Sequence, residues 1–406
     1  MTEEELLAAD PIAADAVICA SHRLGDLAQR QRIVPVPEGL REDAAWGDLF
    51  ELPQLREASW ADRTLAVPFG SPVLTCYYRA DLLEKLGQKP PQTWSEYQKL
   101  AALLVDPAGS GDPSAEAAAR SGTIEPLGPG WAGIVLLARA ASYAKHRNNY
   151  SALFDIRTME PLVAGPPFIR ALEELVAAAE VGAADQLQYD PSAVRAAFWQ
   201  GRGGMALTWP TRAAEKLPEN VPAEIRVGFV ELPGSQQAFD VGDQKWDARG
   251  EGDETHVPLL AIAGRIGVVS AGSTQPDAAF QLLLWLSGDP TGSKVCGASG
   301  ATTLFRHSQL KSPQAWVETP VLPSSAAQYA EVTAKTFRRQ QWMAALRIPG
   351  RAEYLAALDE AVHQAVRDRR PAAEVLQEAV VRWKEITGRL GVEGQKAAYR
   401  HGLGLD

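Results

Sequence analysis

Long apolar runs are missing from this chain: nowhere do roughly 18 to 20 uncharged apolar residues follow one another, which excludes a membrane-spanning helix of ordinary length. Clustered basic residues are missing too. With 40 Lys and Arg against 50 Asp and Glu the net charge is -10, and no stripe of cations exists to grip a nucleic-acid backbone. Cysteine is scarce. Cys19, Cys76 and Cys296 lie far apart, Cys19 and Cys76 sit in strand-like apolar runs as small buried hydrophobes, and such sparse use does not fix the redox compartment. The six histidines are scattered without metal-ligand spacing, so no metal and no cofactor is expected. There is no Gly-x-Ser-x-Gly elbow, no phosphate-binding Gly-Lys-Ser/Thr loop and no His-Glu-x-x-His, and acid pairs such as Glu173 and Glu174 read as a solvated helix face.

What is present is a chain of 406 residues, too long for one comfortable core and suited to two or three domains. Its most informative stretch is Arg63 to Leu104. Leu65 to Phe69 reads as a short buried strand, Gly70, Ser71 and Pro72 interrupt it, and Val73 to Tyr78 resumes a β-prone run. A break this short allows neither a helical crossover nor a tight hairpin, so the second strand is expected to enter a different sheet, at a hinge. Asp81 then opens a short helix that ends at Gly87, Pro90 and Pro91 forbid helix, and Thr93 with Glu96 forms a capping box.

The combination of Pro68, Ser71, Tyr78, Arg79, Asp81, Leu82, Pro90, Pro91, Thr93, Trp94 and Glu96 resembles the first interlobe crossing of family 1 extracellular solute-binding proteins, the sugar-binding components of ABC importers. The resemblance extends over nearly the whole chain from Asp15 onward. It implies an α/β protein of the two-lobed, periplasmic-binding-protein-like (type II) kind, with discontinuous lobes and a hinge of short crossings. By this reading residues 1–70 and 264–309 form the first lobe, 75–262 and 310–406 the second, and the crossings lie near 71–74, 263–267 and 305–312. The opening MTEEELLAADP lacks the positive and apolar regions of a secretory signal, and the family's leader and first strand are not seen before DAVICA. The first lobe is therefore expected to be incomplete.

Asp15 to Ala20 is a strand that runs into Ser21, His22 and Arg23 and then a helix, the place where α/β proteins put ligands. Ser21 serves equally well as a plain helix cap. GPGWAG at 128–133 matches the dinucleotide fingerprint literally, but TIEPL is a poor strand and Pro129 interrupts the turn, so the better reading is a loop that presents Trp131 at a helix start. Further on, 106–121 reads as a polar loop, Phe168 to Val181 as an amphipathic helix, and MALTW as a strand ending at Trp209, with Trp199 in the core. Trp246 lies in a polar loop, either over a cleft or anchoring the loop. LLAIAGRIGVVS reads as one long strand, and Phe280, Leu283, Leu284 and Trp285 as the core face of the helix after it.

Sugars present apolar ring faces edged by hydroxyls, so their sites combine flat aromatics with planar polar groups. The resemblance assigns the faces to Trp131, Trp209 and Tyr354 and hydrogen bonds to Ser21, His22, Arg23, Ser71 and Arg351, with Pro72 and Trp246 as further candidates at the site. It implies a monomer that closes on a carbohydrate and passes it to a membrane permease outside the cytoplasm, without catalysis. A glycan hydrolase or lyase with the same aromatic supply is the alternative.

Overall fold

The computed structural model describes residues 3–106, 120–213, 217, 221–288 and 290–405. The loop read at 106–121 lies almost wholly outside them. β1 (Ala16–Ala20) leads through a 3-10 turn over Ser21–Arg23 into helix α1 (Leu24–Gln29). β2 is Val67–Pro68, and after Gly70, Ser71 and Pro72 comes β3 (Thr75–Arg79), every residue of it buried. The capping box forms as read: the Glu96 amide donates to Thr93 Oγ1 at 3.2 Å, and the Thr93 amide donates to the Glu96 carboxylate at 3.2 Å, starting α2 (Trp94–Leu104). Asp81 does not cap its helix. Its carboxylate takes the Arg79 guanidinium and the Arg226 amide instead.

The chain then supplies β4 (Ser121–Ile124), α3 (Ala132–Ala144), α4 (Pro166–Glu180), α5 (Pro191–Trp199), β5 (Gly203–Thr208) and β6 (Val227–Glu231). A hairpin follows, β7 (Gln237–Asp240) with β8 (Lys245–Ala248), where the sequence suggested only a polar loop. The long strand expected over 259–270 is two strands, β9 (Leu259–Leu260) and β10 (Arg265–Val269). Ala261 and Gly264, at φ 57° and 115°, break it where the chain changes sheet. α6 (Pro276–Ser287), α7 (Pro323–Thr336), β11 (Met343–Ala344), α8 (Arg351–Arg367), α9 (Ala372–Leu390) and α10 (Val392–Gly402) complete the order.

Two larger sheets result among the described residues, beside three two-stranded ones, of which β7–β8 and β9–β11 are two and Ser59–Trp60 with Arg63–Thr64 the third. Of the larger two, one has three strands in the order β1-β10-β2, all antiparallel, and the other has four in the order β4-β5-β3-β6, of which only β4 and β5 run parallel. The chain passes from the first to the second between Phe69 and Thr75, leaves the second after β6, and re-enters the first at Arg265 after β9, which pairs in parallel with β11. These passages touch: the Arg265 amide donates to the Gly70 carbonyl at 2.9 Å, and Thr303 Oγ1 donates to the Ser71 carbonyl at 3.3 Å. Gly264 is required there, because a Cβ would lie 2.8 Å from the Gly70 oxygen. Beside them the Glu57 carboxylate accepts the Ala261 amide at 2.6 Å, and the buried Arg347 guanidinium donates to the carbonyls of Arg56, Glu57, Ser59 and Gly402.

α5 packs on β5 of the second sheet, α7 on β6 and α2 on β4, while α3, whose residues are all buried, packs against α4 and α8. Inside this layer Arg139 and Glu125 form an ion pair at 2.7 Å, with the guanidinium 4.0 Å from the centre of the Trp94 ring. Trp285 corrects the periodicity reading: it is 63% exposed, on the outer face of α6, while Phe280, Leu283 and Leu284 are buried. α10 spans both halves. The Ala61 amide donates to the His401 carbonyl at 2.7 Å, and the Tyr150 hydroxyl donates to that of Leu403 at 3.1 Å.

Candidate functional site

Trp131 precedes the first turn of α3, and Trp209 follows the last residue of β5. The parallel pairing of β4 with β5 brings them together, ring centroids 5.5 Å apart and planes at 47°. The loop under Trp131 is held by Asp359 of α8, whose two oxygens accept the Gly130 and Gly133 amides at 2.6 and 2.7 Å. Burial pushes the Asp359 carboxyl above its usual range even though both amides favour the ionised form. This settles the fingerprint at 128–133 on physical grounds. A strand does precede the loop, contrary to the sequence reading, but the amides that would cradle a phosphate already hold a carboxylate.

Trp209 is 4% exposed, and its indole N–H donates to the Gly300 carbonyl at 3.0 Å, from the second sheet's side to the segment that follows α6 on the first. Behind it Arg195 donates to the Trp209 carbonyl at 3.1 Å and to Thr208 Oγ1 at 3.2 Å. Glu318 lies 3.8 Å from Arg195 and accepts the Tyr77 hydroxyl at 3.1 Å; burial raises its carboxyl to about 7.

The second group gathers on three consecutive carbonyls of the returning passage. Arg351, first residue of α8, donates to Ile262 at 3.5 Å, Ser21 Oγ to Ala263 at 2.8 Å, and the Ser21 amide to Gly264 at 3.2 Å. Ser21 is buried by this and acts as a tie between β1 and the passage. His22 and Arg23 follow it; Arg23 pairs with Asp26 at 3.5 Å. Burial, then the charges of Arg351, Arg23 and Arg265, lower the His22 imidazole to about 3, so it is neutral at physiological pH. Ser71 and Pro72 are buried among the passages.

Two expected members stand elsewhere. Tyr354 is fully buried: its ring packs on Phe154 and Trp383, and its hydroxyl shares a hydrogen bond with Thr387 Oγ1 at 2.8 Å, so it belongs to the core beneath α9. Trp246 sits on β8 against Phe239 and Tyr143, with the Arg170 guanidinium 5.2 Å from its centre. Tyr143 is near the end of α3, so Trp246 is separated from Trp131 by about 18 Å of helix. The sequence reading missed Asp359, Gly300, Arg195 and Arg265. Asp359 alone left a signal, as an acid beside the apolar positions Leu355, Leu358 and Val362. Among the described residues one group could hold a metal ion, His146 with Asp240 and Asp247, but its contacts at 3.5 and 3.4 Å use different ring nitrogens, and one ion could engage only one of them.

Residues 7–292 match the profile of the bacterial extracellular solute-binding proteins. The chain belongs to that family. This solute-binding protein shares its two-lobed fold with a ribitol complex from Agrobacterium radiobacter (19% identity, TM-score 0.67, 92% of this chain and 85% of that one). It is similar also to maltose-bound MalE3 of T. maritima (16%, 0.64, 94% and 87%) and to a D-mannitol complex from Agrobacterium vitis (18%, 0.63, 93% and 86%). No curated protein sequence matches it.

Proposed function

We propose that this solute-binding protein holds a carbohydrate or sugar alcohol between its lobes and delivers it to an ABC importer permease. The observation that carries this is the Trp131–Trp209 pair, tilted rings on the second lobe tied to the first through Gly300. Two such faces suit the apolar side of a pyranose or polyol, while neutral His22 and the guanidinium groups of Arg23 and Arg351 suit its hydroxyls. Relatives with the same fold carry ribitol, D-mannitol and maltose, which supports the reading. We take the lobes as 1–70 with 264–309 and 75–262 with 310–406, rotating about the passages near 71–74, 263–267 and 305–312 as a monomer. The protein works outside the cytoplasmic membrane; among the described residues no helix is long and apolar enough to cross one.

Catalysis forms no part of the proposal. The acids behind the tryptophan pair are both engaged inside the protein, Asp359 by backbone amides and Glu318 by Tyr77 and Arg195. Titration with ribitol, D-mannitol, maltose and a wider sugar panel, read by tryptophan fluorescence, tests the idea, with chromatography of the mixtures for products. A saturable change with at least one compound, weakened tenfold or more by Trp131→Ala, is the expected result. Silence across the panel would overturn the binding role, and any product would favour a glycan-active enzyme.

A further inference from the structure

At the far end of α3 from Trp131 a cavity of about 420 Å³ opens between the segment after that helix, the stretch Trp342–Ile348, and the C-terminal helix α10. The length of α3 puts roughly 20 Å between it and the tryptophan pair. Arg56, Lys145, His146, Arg147 and Arg347 line it, and no Asp or Glu does. In a chain with ten more acids than bases, that is an inverted local balance.

Two of the five are already committed. His146 faces Asp240 and Asp247, and Arg347 spends its donors on four backbone carbonyls. Arg56, Lys145 and Arg147 form no ion pair within 4.0 Å among the described residues. The Arg56 guanidinium lies 5.3 Å from the centre of the Trp342 ring, and Lys145 Nζ donates to the Tyr150 carbonyl at 3.4 Å. Burial, and then the charge of Arg56, lower the Lys145 ammonium below its ordinary range, as expected for like charges gathered round one hollow.

We propose that this cavity is a second binding site, for a compact soluble polyanion bearing two or more phosphate or carboxylate groups, held by Arg56, Lys145 and Arg147 against the Trp342 face. Arg56 belongs to Pro53–Glu57, which packs on β2 of the first lobe, whereas Lys145 and Arg147 extend from α3 of the second. A polyanion there ties the two lobes, so its binding is linked to that of the ligand in the cleft.

Calorimetric titration with pyrophosphate and with citrate at low ionic strength tests this without any sugar, and so reads this site whether or not the carbohydrate assignment holds. Saturable one-to-one binding is expected for at least one of them, weakening as salt rises. Arg56→Gln and Arg147→Gln, both at exposed positions and checked for unchanged melting temperature, should each lower affinity about tenfold. Absence of saturable heat up to millimolar anion, or wild-type affinity retained in either variant, would overturn the proposal. So would capture by phosphatidylglycerol vesicles with no response to the soluble anions, since that would make the patch a lipid-headgroup contact.

Discussion

Acidification should unfold this protein partly through one imidazole. His22 goes from an ordinary value of 6.5 to about 3 on folding, because it is buried and because Arg351, Arg23 and Arg265 surround it. The folded value is depressed, so the unfolded chain takes up the proton first. The contribution is intact above pH 6.5 and is lost progressively as pH falls toward 3. Between pH 7 and pH 5 the loss is about 2 kcal/mol, from the ratio of proton uptake by the two states. His22→Asn keeps a neutral planar hydrogen-bonding group and removes the titration. Urea unfolding of both proteins at pH 7 and pH 5 isolates the effect, since the carboxylates common to both cancel. The wild type should lose about 2 kcal/mol more than the variant over that interval. Equal losses, or an NMR titration of His22 centred near 6.5, would refute the picture of a buried imidazole ringed by cations.

Arg139→Met should cost about 3–5 kcal/mol in urea unfolding, because Glu125 would be left ionisable inside the layer between α2 and α3 with no cation beside it; a loss below about 1 kcal/mol would show that the pair is not a closed unit. Gly264→Ala combines a left-handed backbone with a methyl 2.8 Å from the Gly70 oxygen, so it should destabilise by about 1–3 kcal/mol and alter the lobe arrangement seen by small-angle scattering. An unchanged melting point and scattering curve would mean that the passages are looser than their contacts imply.

Local chemistry made some of this legible from sequence. Thr93 and Glu96 satisfy each other's amides, Gly87 ends its helix at φ 61°, and the Gly-Ser-Pro break admits no hairpin, so that region follows from residues in reach of one another. Errors arose where a distant element decided the environment. Tyr354 lies one step off the stripe formed by Leu355, Leu358 and Val362, and what buries it is Trp383 and Thr387 of α9. Trp285 keeps helical spacing with its apolar neighbours, yet among the described residues no element covers that side of α6. Trp246 could not be placed before its hairpin was known. Trp131 and Trp209 emerged as candidates through the family resemblance; their approach depends on β4 pairing with β5, which no short window of sequence contains.

The contact that closes the candidate cleft is slight. The Trp209 indole bond to Gly300 and the long Thr211 Oγ1 bond to the Ser299 carbonyl, at 3.5 Å, are worth about 1 kcal/mol or little more, so these rim contacts hold the two segments together only weakly. α10 limits the available motion, because it is bonded to Ala61 on one side and to Tyr150 on the other, and rotation that separates Trp209 from Gly300 must pivot near that helix and the Gly70–Gly264 contact. Under the proposed function, a ligand lying on the tryptophan pair and reaching the His22–Arg351 group would gain those contacts only with the lobes together. Its differential affinity for the closed arrangement would then add to that small bias, so a modest ligand suffices and closure stays reversible.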